Sequence, residues 1–397
     1  MSQTSAGDQK YFLPRAGLEP LVGILRQRGY TVLAPTRRDE IIALAPVESA
    51  DQIARGVHDH QDGGRYRLTQ ADPEVMFEYG PGADSPKRYL FPPELPLVEL
   101  RVRGNRFIPT SQPPAIAQYA FLGIRACELA AIKVQDRVFG LEGQDTLCAD
   151  AAEYYRRTRR RALLIAVNCT RPGGTCFCAS MGTGPAATEG FDLSLTELRD
   201  GFLLTVGSQA GAALGAELDL RAPTSAEEGL AEMKLAAARA HMPRHLDTRG
   251  LKERLEQTID DPNWERVAAR CLSCGNCTMV CPTCFCFTVS DSSGLTDGVY
   301  GRTRRWESCF SHQFSYVAGS GPVRSTIAAR YRHWLRHKLC TWQDQFGVSG
   351  CVGCGRCITW CPVGIDLTEE AQRLGRHVPG AGAVPIPKAG GTKEALP

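Results

Sequence analysis

The sequence lacks the patterns that mark common nucleotide-binding and hydrolytic sites. No G-x-G-x-x-G follows a predicted strand and no G-x-x-x-x-G-K-[ST] occurs, which argues against the standard dinucleotide and P-loop sites. The histidines form no H-E-x-x-H, and no pattern resembles a Ser/His/Asp triad. We therefore expect no catalytic residues in this chain and assign any chemistry on a substrate to another subunit.

Long apolar runs and a strong net charge are also missing. No stretch approaches the roughly 18 apolar residues that span a bilayer, and the polar segment Met1–Lys10 lacks the hydrophobic region of a signal peptide. A net charge of only +3 gives no reason to expect nucleic acid or an anionic membrane as a partner. The composition predicts a cytoplasmic protein without a transmembrane segment.

Cysteine, by contrast, is abundant, and two segments repeat one cysteine pattern. The 17 cysteines are odd in number, which favours a reducing compartment over an extracellular disulfide framework. Cys271–Pro282 and Cys351–Pro362 both read C-x2-C-x2-C-x3-C-P, the bacterial ferredoxin pattern that holds a 4Fe–4S cubane. A zinc ribbon would use two separate C-x2-C pairs without the third cysteine or the proline. The pattern predicts two 4Fe–4S clusters and electron transfer.

The spacing within this repeat predicts crossed ligation, in which the last cysteine of each segment binds the cluster of the other segment. Three closely spaced thiolates wrap one cluster, and the fourth ligates the partner cluster. The first cluster is accordingly assigned to Cys271, Cys274, Cys277 and Cys361. The second cluster is assigned to Cys281, Cys351, Cys354 and Cys357.

Hydrophobic patterning divides the chain into an α/β region and a ferredoxin-like α+β region. Residues 1–247 are predicted to form the α/β domain, with a helix over 18–28 and buried strands over 117–124 and 162–167. Residues 248–375 are predicted to form the two-cluster domain, with a large helical insertion over 282–350. The Gly-, Ala- and Pro-rich segment 376–397 is predicted to be a disordered tail.

Two basic segments each have two interpretations. The arginine run 156–161 is either a nucleic-acid patch or the solvated end of a helix, and the second interpretation is favoured. The predicted helix Arg324–Leu339 carries an apolar stripe with basic residues around it. It is either packed on the ferredoxin core, which is favoured, or a docking face for a redox partner.

Four further cysteines are candidates for a third metal centre. Cys127 and Cys169 each follow a predicted buried strand, and the carboxyl ends of such strands form the ligand-binding crevice of an open α/β sheet. Cys176 and Cys178 lie a few residues further on, in a glycine-rich loop. Thiolates at one crevice suit iron or zinc, and iron is expected in an electron-transfer chain. A redox-active cysteine site and a group of ordinary buried thiols are the alternatives.

The remaining cysteines give weaker signals. Cys148 and Cys340 are interpreted as small buried hydrophobic residues. Cys284, Cys286 and Cys309 lie close in sequence to the first cluster motif or within the insertion. They either pack around a cluster or donate weak hydrogen bonds to its sulfurs, and the sequence leaves these two roles open.

Several segments together resemble a known family. They resemble the iron–sulfur β subunit of cytoplasmic NAD(P)-linked nickel–iron hydrogenases (sulfhydrogenases). They equally resemble the iron–sulfur subunit of anaerobic sulfite reductases, which shares the same dicluster domain. The segments that carry the resemblance are Gly123–Ile132, Asp136–Phe139, Cys176–Pro185, Cys281–Cys286 and Trp306–Cys309. One departure is Arg125-Ala-Cys-Glu128, where the family commonly has Arg-Pro-Cys-Asp.

The resemblance implies a protein that relays electrons from one partner to another, between a flavin/NAD(P)-binding subunit on one side and a catalytic subunit on the other. The catalytic partner is expected to be a nickel–iron hydrogenase, with a sirohaem sulfite reductase as the alternative. A hypothesis of a different class is a stand-alone iron–sulfur redox sensor. A sensor usually carries an output element such as a helix-turn-helix or a basic nucleic-acid surface, and neither is evident in the sequence.

Overall fold

The computed structural model describes residues 9–104, 106–110, 115–141, 149–294 and 298–375. The predicted tail 376–397 and Cys148 lie outside the described residues. The helices are α1 Leu18–Gln27, α2 Lys87–Leu90, α3 Ala126–Val138, α4 Ala149–Arg159, α5 Gln209–Gly215, α6 Ser225–Ala240, α7 Leu251–Glu256, α8 Asn263–Ala268, α9 Asn276–Met279, α10 Ile327–Arg336, α11 Trp342–Phe346, α12 Arg356–Thr359 and α13 Leu367–Arg373. Among these helices, none combines the length and hydropathy that crossing a bilayer requires.

The strands of the described residues form one large sheet and several small ones. The strands are β1 Lys10–Pro14, β2 Thr31–Arg38, β3 Ile41–Pro46, β4 Val57–Asp62, β5 Arg65–Gln70, β6 Glu94–Arg103, β7 Arg106–Pro109, β8 Tyr119–Ile124, β9 Leu163–Val167, β10 Leu193–Glu197, β11 Gly201–Val206, β12 Phe287–Ser293, β13 Val299–Trp306, β14 Tyr316–Val317 and β15 Gly321–Pro322. The large sheet has the order β1-β11-β10-β9-β8-β2-β3. Its centre, β10-β9-β8-β2, is parallel, and its edges are antiparallel.

Apolar residues cover both faces of this sheet, as expected for parallel strands. All five residues of β9 are buried. Leu163, Ile165 and Val167 pack in one core with the apolar face of α1. Leu164 and Ala166 point to the other face and pack in a second core with residues of α3 and α4. The α/β architecture predicted for the first 247 residues is therefore present as a sheet between helical layers.

The predicted elements around the candidate site match the structure closely. The helix expected from residue 18 to 28 is α1, and the strand expected over 162–167 is β9. Strand β8 begins two residues later than predicted, and α3 follows it. Because β8 and β9 pair in parallel, their carboxyl ends lie at the same edge of the sheet.

The insertion 282–350 differs from the helical segment that was expected. Its first half forms β12 and β13, and helix α10 follows only in the second half. β13 pairs with β6, so the insertion and the N-terminal region share the sheet β12-β13-β6-β7. In Phe287–Ser293 only Phe287 and Val289 are apolar, so the alternating strand signal is short. Its pairing partner β6 lies far away in sequence, which is why local patterning did not indicate the sheet.

The two cysteine repeats fold alike and pack side by side. In each repeat a glycine in the left-handed region, Gly275 at φ 79° and Gly355 at φ 74°, precedes a one-turn helix, α9 or α12. A side chain at such a φ is strained, which explains the glycine after the second cysteine of both motifs. α9 and α12 contact each other.

Candidate metal centres

The first group of thiols contains the four residues assigned to the first cluster. Burial raises the pKa of Cys277, and the neighbouring thiols of Cys271, Cys361 and Cys274 raise it further. Cys361 therefore stands beside the first segment, although it belongs to the second. The four cysteines line one cavity together with Phe310, Tyr331 and Trp334. Cys274 is exposed, so this group lies near the surface.

The second group contains the four residues assigned to the second cluster and is more deeply placed. Burial raises the pKa of Cys357, and so do the neighbouring thiols of Cys351, Cys354 and Cys281. Burial also raises the pKa of Cys351 to about 12. Thiols with raised pKa values stay neutral at neutral pH unless a metal takes the place of the proton. Cys351, Cys354 and Cys357 therefore suit a thiophilic metal group, whereas Cys281 differs from them because Cys284 and Lys338 lower its pKa.

The four cysteines proposed for a third centre also come together. Cys127 and Cys169 lie at the carboxyl edge of the large sheet, just after β8 and β9. All four thiols are buried, and the electrostatic neighbours of Cys176 include Cys178, Cys169 and Cys354. Cys127 has Cys354 and Cys178 as its neighbours. The four candidates therefore adjoin the second group.

The loop that carries Cys176 and Cys178 packs directly on the second cysteine repeat. Phe177 N donates to Gly353 O at 2.8 Å. A Cβ atom on Gly353 would lie 2.7 Å from Cys178 Cα, closer than real side chains allow. The two loops therefore approach as closely as backbone permits, which places the N-terminal thiols beside the ferredoxin-like region.

Two buried arginines face this junction. Arg125 donates from Nη2 to Phe77 O at 2.7 Å and Tyr79 O at 2.9 Å. Arg356 donates from Nε to Gly82 O at 2.7 Å and from Nη2 to Glu128 Oε1 at 2.5 Å. In both arginines Nη1 is buried without an oxygen or nitrogen acceptor, and each guanidinium hydrogen-bonds a thiol, Arg125 that of Cys169 and Arg356 that of Cys354.

These buried guanidinium groups fit an anionic group at the junction. The thiol of Cys169 is an electrostatic neighbour of Arg125, and the thiol of Cys354 is a neighbour of Arg356. A neutral thiol is a weak acceptor for a buried cationic donor, whereas thiolate-ligated clusters carry negative charge and sulfur acceptors. The residues present therefore fit iron–sulfur groups better than they fit a set of neutral thiols.

Two buried lysines were not singled out by sequence reasoning. Lys338 is one of the basic residues of the predicted helix Arg324–Leu339, yet it is only 2 % exposed. Its Nζ lies 3.2 Å from Cys281 Sγ and 3.5 Å from Cys284 Sγ. Lys87 is 4 % exposed, with Nζ 4.0 Å from the centre of the Trp306 ring. The helix thus packs on the core and directs part of its charge inward.

The three cysteines whose role the sequence left open lie around these lysines. Cys284 hydrogen-bonds Cys281 and, with the ammonium of Lys338, holds the pKa of Cys281 below its usual value. Cys286 hydrogen-bonds Cys309, which is buried. Cys284 therefore contacts a predicted cluster ligand. Cys340 is fully buried.

The described residues contain no group of three or more His, Cys, Asp or Glu side chains that could hold a metal ion. The thiols are neighbours, and their ligation of clusters is a proposal.

Residues 270–365 match the family model described as a 4Fe-4S dicluster domain. The chain is 31% identical over 317 residues to sulfhydrogenase 2 subunit beta of Pyrococcus furiosus, an alignment that covers 79% of this chain and 90% of that subunit. No solved structure gives a significant match.

Proposed function

Because the chain belongs to the sulfhydrogenase subunit beta family, we propose that it relays electrons between two partners, a flavin/NAD(P)-binding subunit on one side and a nickel–iron catalytic subunit on the other. The chain is an iron–sulfur electron-transfer subunit of a multi-subunit complex. The observation that carries the finer proposal is the pair of four-thiol groups within the matched dicluster domain. When they are bound, each 4Fe–4S cluster accepts and donates one electron.

The crossed ligand assignment is part of this proposal. Cys271, Cys274, Cys277 and Cys361 hold the first cluster, and Cys281, Cys351, Cys354 and Cys357 hold the second. The neighbour relations are compatible with it: Cys277 has both Cys361 and, more weakly, Cys281 as electrostatic neighbours, and Cys357 has Cys281. The ligands of the second cluster are mostly buried, whereas Cys274 of the first is exposed. The first cluster is accordingly the one that exchanges electrons nearest the surface.

The ligand assignment is tested by replacing one crossed cysteine at a time. Cys361→Ala should damage the cluster of the first segment, and Cys281→Ala that of the second. Electron paramagnetic resonance (EPR) spectra of each reduced variant show which signal survives. The two variants should lose different signals. If each loses the cluster of its own sequence segment, ligation is not crossed, and bound zinc without iron would contradict the cluster proposal altogether.

We also propose a third iron–sulfur centre at Cys127, Cys169, Cys176 and Cys178. The burial of these four thiols and the guanidinium groups of Arg125 and Arg356, which hydrogen-bond the thiols of Cys169 and Cys354, support it. Replacing Cys176 and Cys178 together by Ser in the full chain should remove iron while both ferredoxin-type EPR signals remain. The buried Cys340→Ser is the matched control. Unchanged iron content would leave these residues as ordinary buried thiols.

The relay role is tested by comparing the isolated chain with the assembled complex. Within the described part of the chain we identify no nucleotide site, so the isolated chain should not oxidise NAD(P)H with an artificial electron acceptor. The complex should do so. Turnover by the flavin-free isolated chain would contradict the relay.

Co-purifying subunits separate the remaining candidate functions. A nickel-containing partner supports the hydrogenase, whereas a sirohaem partner would place the chain in an anaerobic sulfite reductase. Recovery of the chain alone, with partner binding that depends on cluster loss, would favour a redox sensor. We further propose a cytoplasmic location, since thiolate-bound clusters suit a reducing compartment. Cell fractionation tests this location.

A further inference from the structure

The two crossed cysteines occupy equivalent positions in the repeat but have different surroundings. Cys281 Sγ receives a hydrogen bond from Lys338 Nζ at 3.2 Å and lies 3.1 Å from Thr283 Oγ1. Cys361 Sγ accepts one backbone hydrogen bond, from Ile365 N at 3.4 Å. The pseudo-symmetric pair is therefore asymmetric in charge at its fourth ligand.

The sequence shows the origin of part of this difference. Cys281-Pro-Thr283 in the first repeat corresponds to Cys361-Pro-Val363 in the second. Thr283 offers a hydroxyl that Lys338 contacts at 3.2 Å. Val363 has no polar atom to anchor such a cation. One substitution within the repeat thus accompanies the placement of a lysine on one side only.

Local backbone structure directs Lys338 inward. The π-helical turn His337–Thr341 follows α10 and buries Lys338, Leu339 and Cys340. Such π turns shift the helical register and are frequent at functional sites. Lys338 Nζ also donates to Gly350 O at 3.2 Å, just before the second repeat begins. The lysine therefore bridges the two repeats at the second group of thiols.

The charge of Lys338 has no carboxylate partner among the described residues. Its contacts are the two sulfurs, a hydroxyl and a carbonyl. A buried cation requires an anionic partner to offset its lost hydration. The thiolates that ligate the second cluster are the anions in contact with it. On the other side, Arg330 donates to Ser273 Oγ at 3.2 Å and to two carbonyls; its charge lies near Cys271, but it makes no hydrogen bond to a cluster thiol.

Burial of the second group would by itself oppose reduction. One-electron reduction adds one negative charge to a cluster and forms no new bond, and low-dielectric surroundings disfavour the more charged state. Hydrogen bonds to the sulfurs and nearby positive charge act in the opposite direction and are known to set cluster potentials. In the first group Cys274 is exposed and the other three thiols are half-buried, so solvent supplies part of this compensation.

We propose that Lys338 raises the reduction potential of the cluster ligated by Cys281, by placing a buried positive charge and a hydrogen bond on that sulfur. This inference rests on the proposed dicluster function. Lys338 is a positioning residue for electron transfer, because it acts through Cys281 and does not carry the electron.

The test is an EPR-monitored redox titration of the full chain, with dithionite as the electron donor. Lys338→Met should shift the midpoint potential of one cluster to a more negative value and leave the other unchanged. The shifted cluster should be the one that survives in Cys361→Ala. Lys338→Gln retains a donor without charge and should give a smaller shift. Lys338→Arg should stay close to the wild type.

Lys133→Met is the matched control, since Lys133 is an exposed lysine paired with Glu189. If both clusters are present and Lys338→Met changes neither potential, the inference is wrong while the proposed function stands. If the wild-type chain lacks the two clusters, the proposed function itself fails. If Lys338→Met loses a cluster, the midpoint potentials of Lys338→Gln and Lys338→Arg decide. An equal shift in these two variants would point to the lost hydrogen-bond geometry and would overturn the charge argument.

Discussion

Replacing Arg356 by Met should strongly destabilise the junction between the N-terminal sheet and the second repeat. Arg356 is 1 % exposed and pairs with the buried carboxylate of Glu128 at 2.5 Å. It also donates to Gly82 O at 2.7 Å and Asp84 O at 2.8 Å. Removing one partner of a buried ion pair leaves the other charge uncompensated, which costs about 3–5 kcal/mol. We therefore expect Arg356→Met to lower the free energy of unfolding by about this amount.

The assay is anaerobic urea unfolding followed by tryptophan fluorescence. Arg302→Met is the control, because Arg302 pairs with Asp291 on the exposed surface and its loss should change stability little. Adding Glu128→Gln to Arg356→Met should recover part of the loss, since the carboxylate then no longer needs a partner. Iron content is measured on each variant, because cluster loss would destabilise the chain by another route. Strict additivity, or a loss no larger than that of Arg302→Met, would refute the reasoning.

Three further predictions concern pH, loop packing and an isolated thiol. Burial, with Arg324 and His337 nearby, lowers the pKa of His333 to about 4, so the unfolded chain binds the extra proton first. Stability should therefore fall as the pH drops from about 6.5 to about 4, and His333→Gln should flatten that decline in urea titrations. Gly353→Ala should release iron from the second cluster, because its Cβ would clash with the Cys178 backbone and displace the loop between Cys351 and Cys354. Gly190→Ala, with a similar positive φ but open space, should not release iron, and equal iron contents would contradict the close packing. Cys340→Ser should leave the EPR spectrum unchanged, and loss of a signal would count against its assignment as a packing residue.

The features that sequence patterning anticipated are those encoded locally. The buried run at 162–167 became β9, and the strand ends placed Cys127 and Cys169 at one edge of the sheet. The C-x2-C-x2-C-x3-C-P repeats placed four thiols together in each group. Each local pattern is short, and the repetition of the cysteine motif and the parallel arrangement of buried strands supply the pairing between distant segments.

The features that sequence patterning missed depend on distant partners. Lys338 and Arg356 are charged residues that a sequence argument places in solvent, since isolated lysines and arginines are rarely buried. They are buried because thiols and a carboxylate from other segments of the chain offset their charge. A usable signal existed for Arg356, which lies between two predicted cluster ligands in Cys354-Gly-Arg-Cys357. The pairing of β13 with β6 had no comparable local signal.

The central claim is that this chain carries electrons through two 4Fe–4S clusters with crossed ligands. Its most direct test is iron and acid-labile sulfide quantitation, with EPR of the reduced full chain before and after Cys361→Ala. We expect at least about eight irons per chain and two cluster signals in the wild type. The variant should lose the signal of the cluster held by Cys271, Cys274 and Cys277. A wild-type chain with a single cluster, or with zinc in place of iron, would contradict the claim.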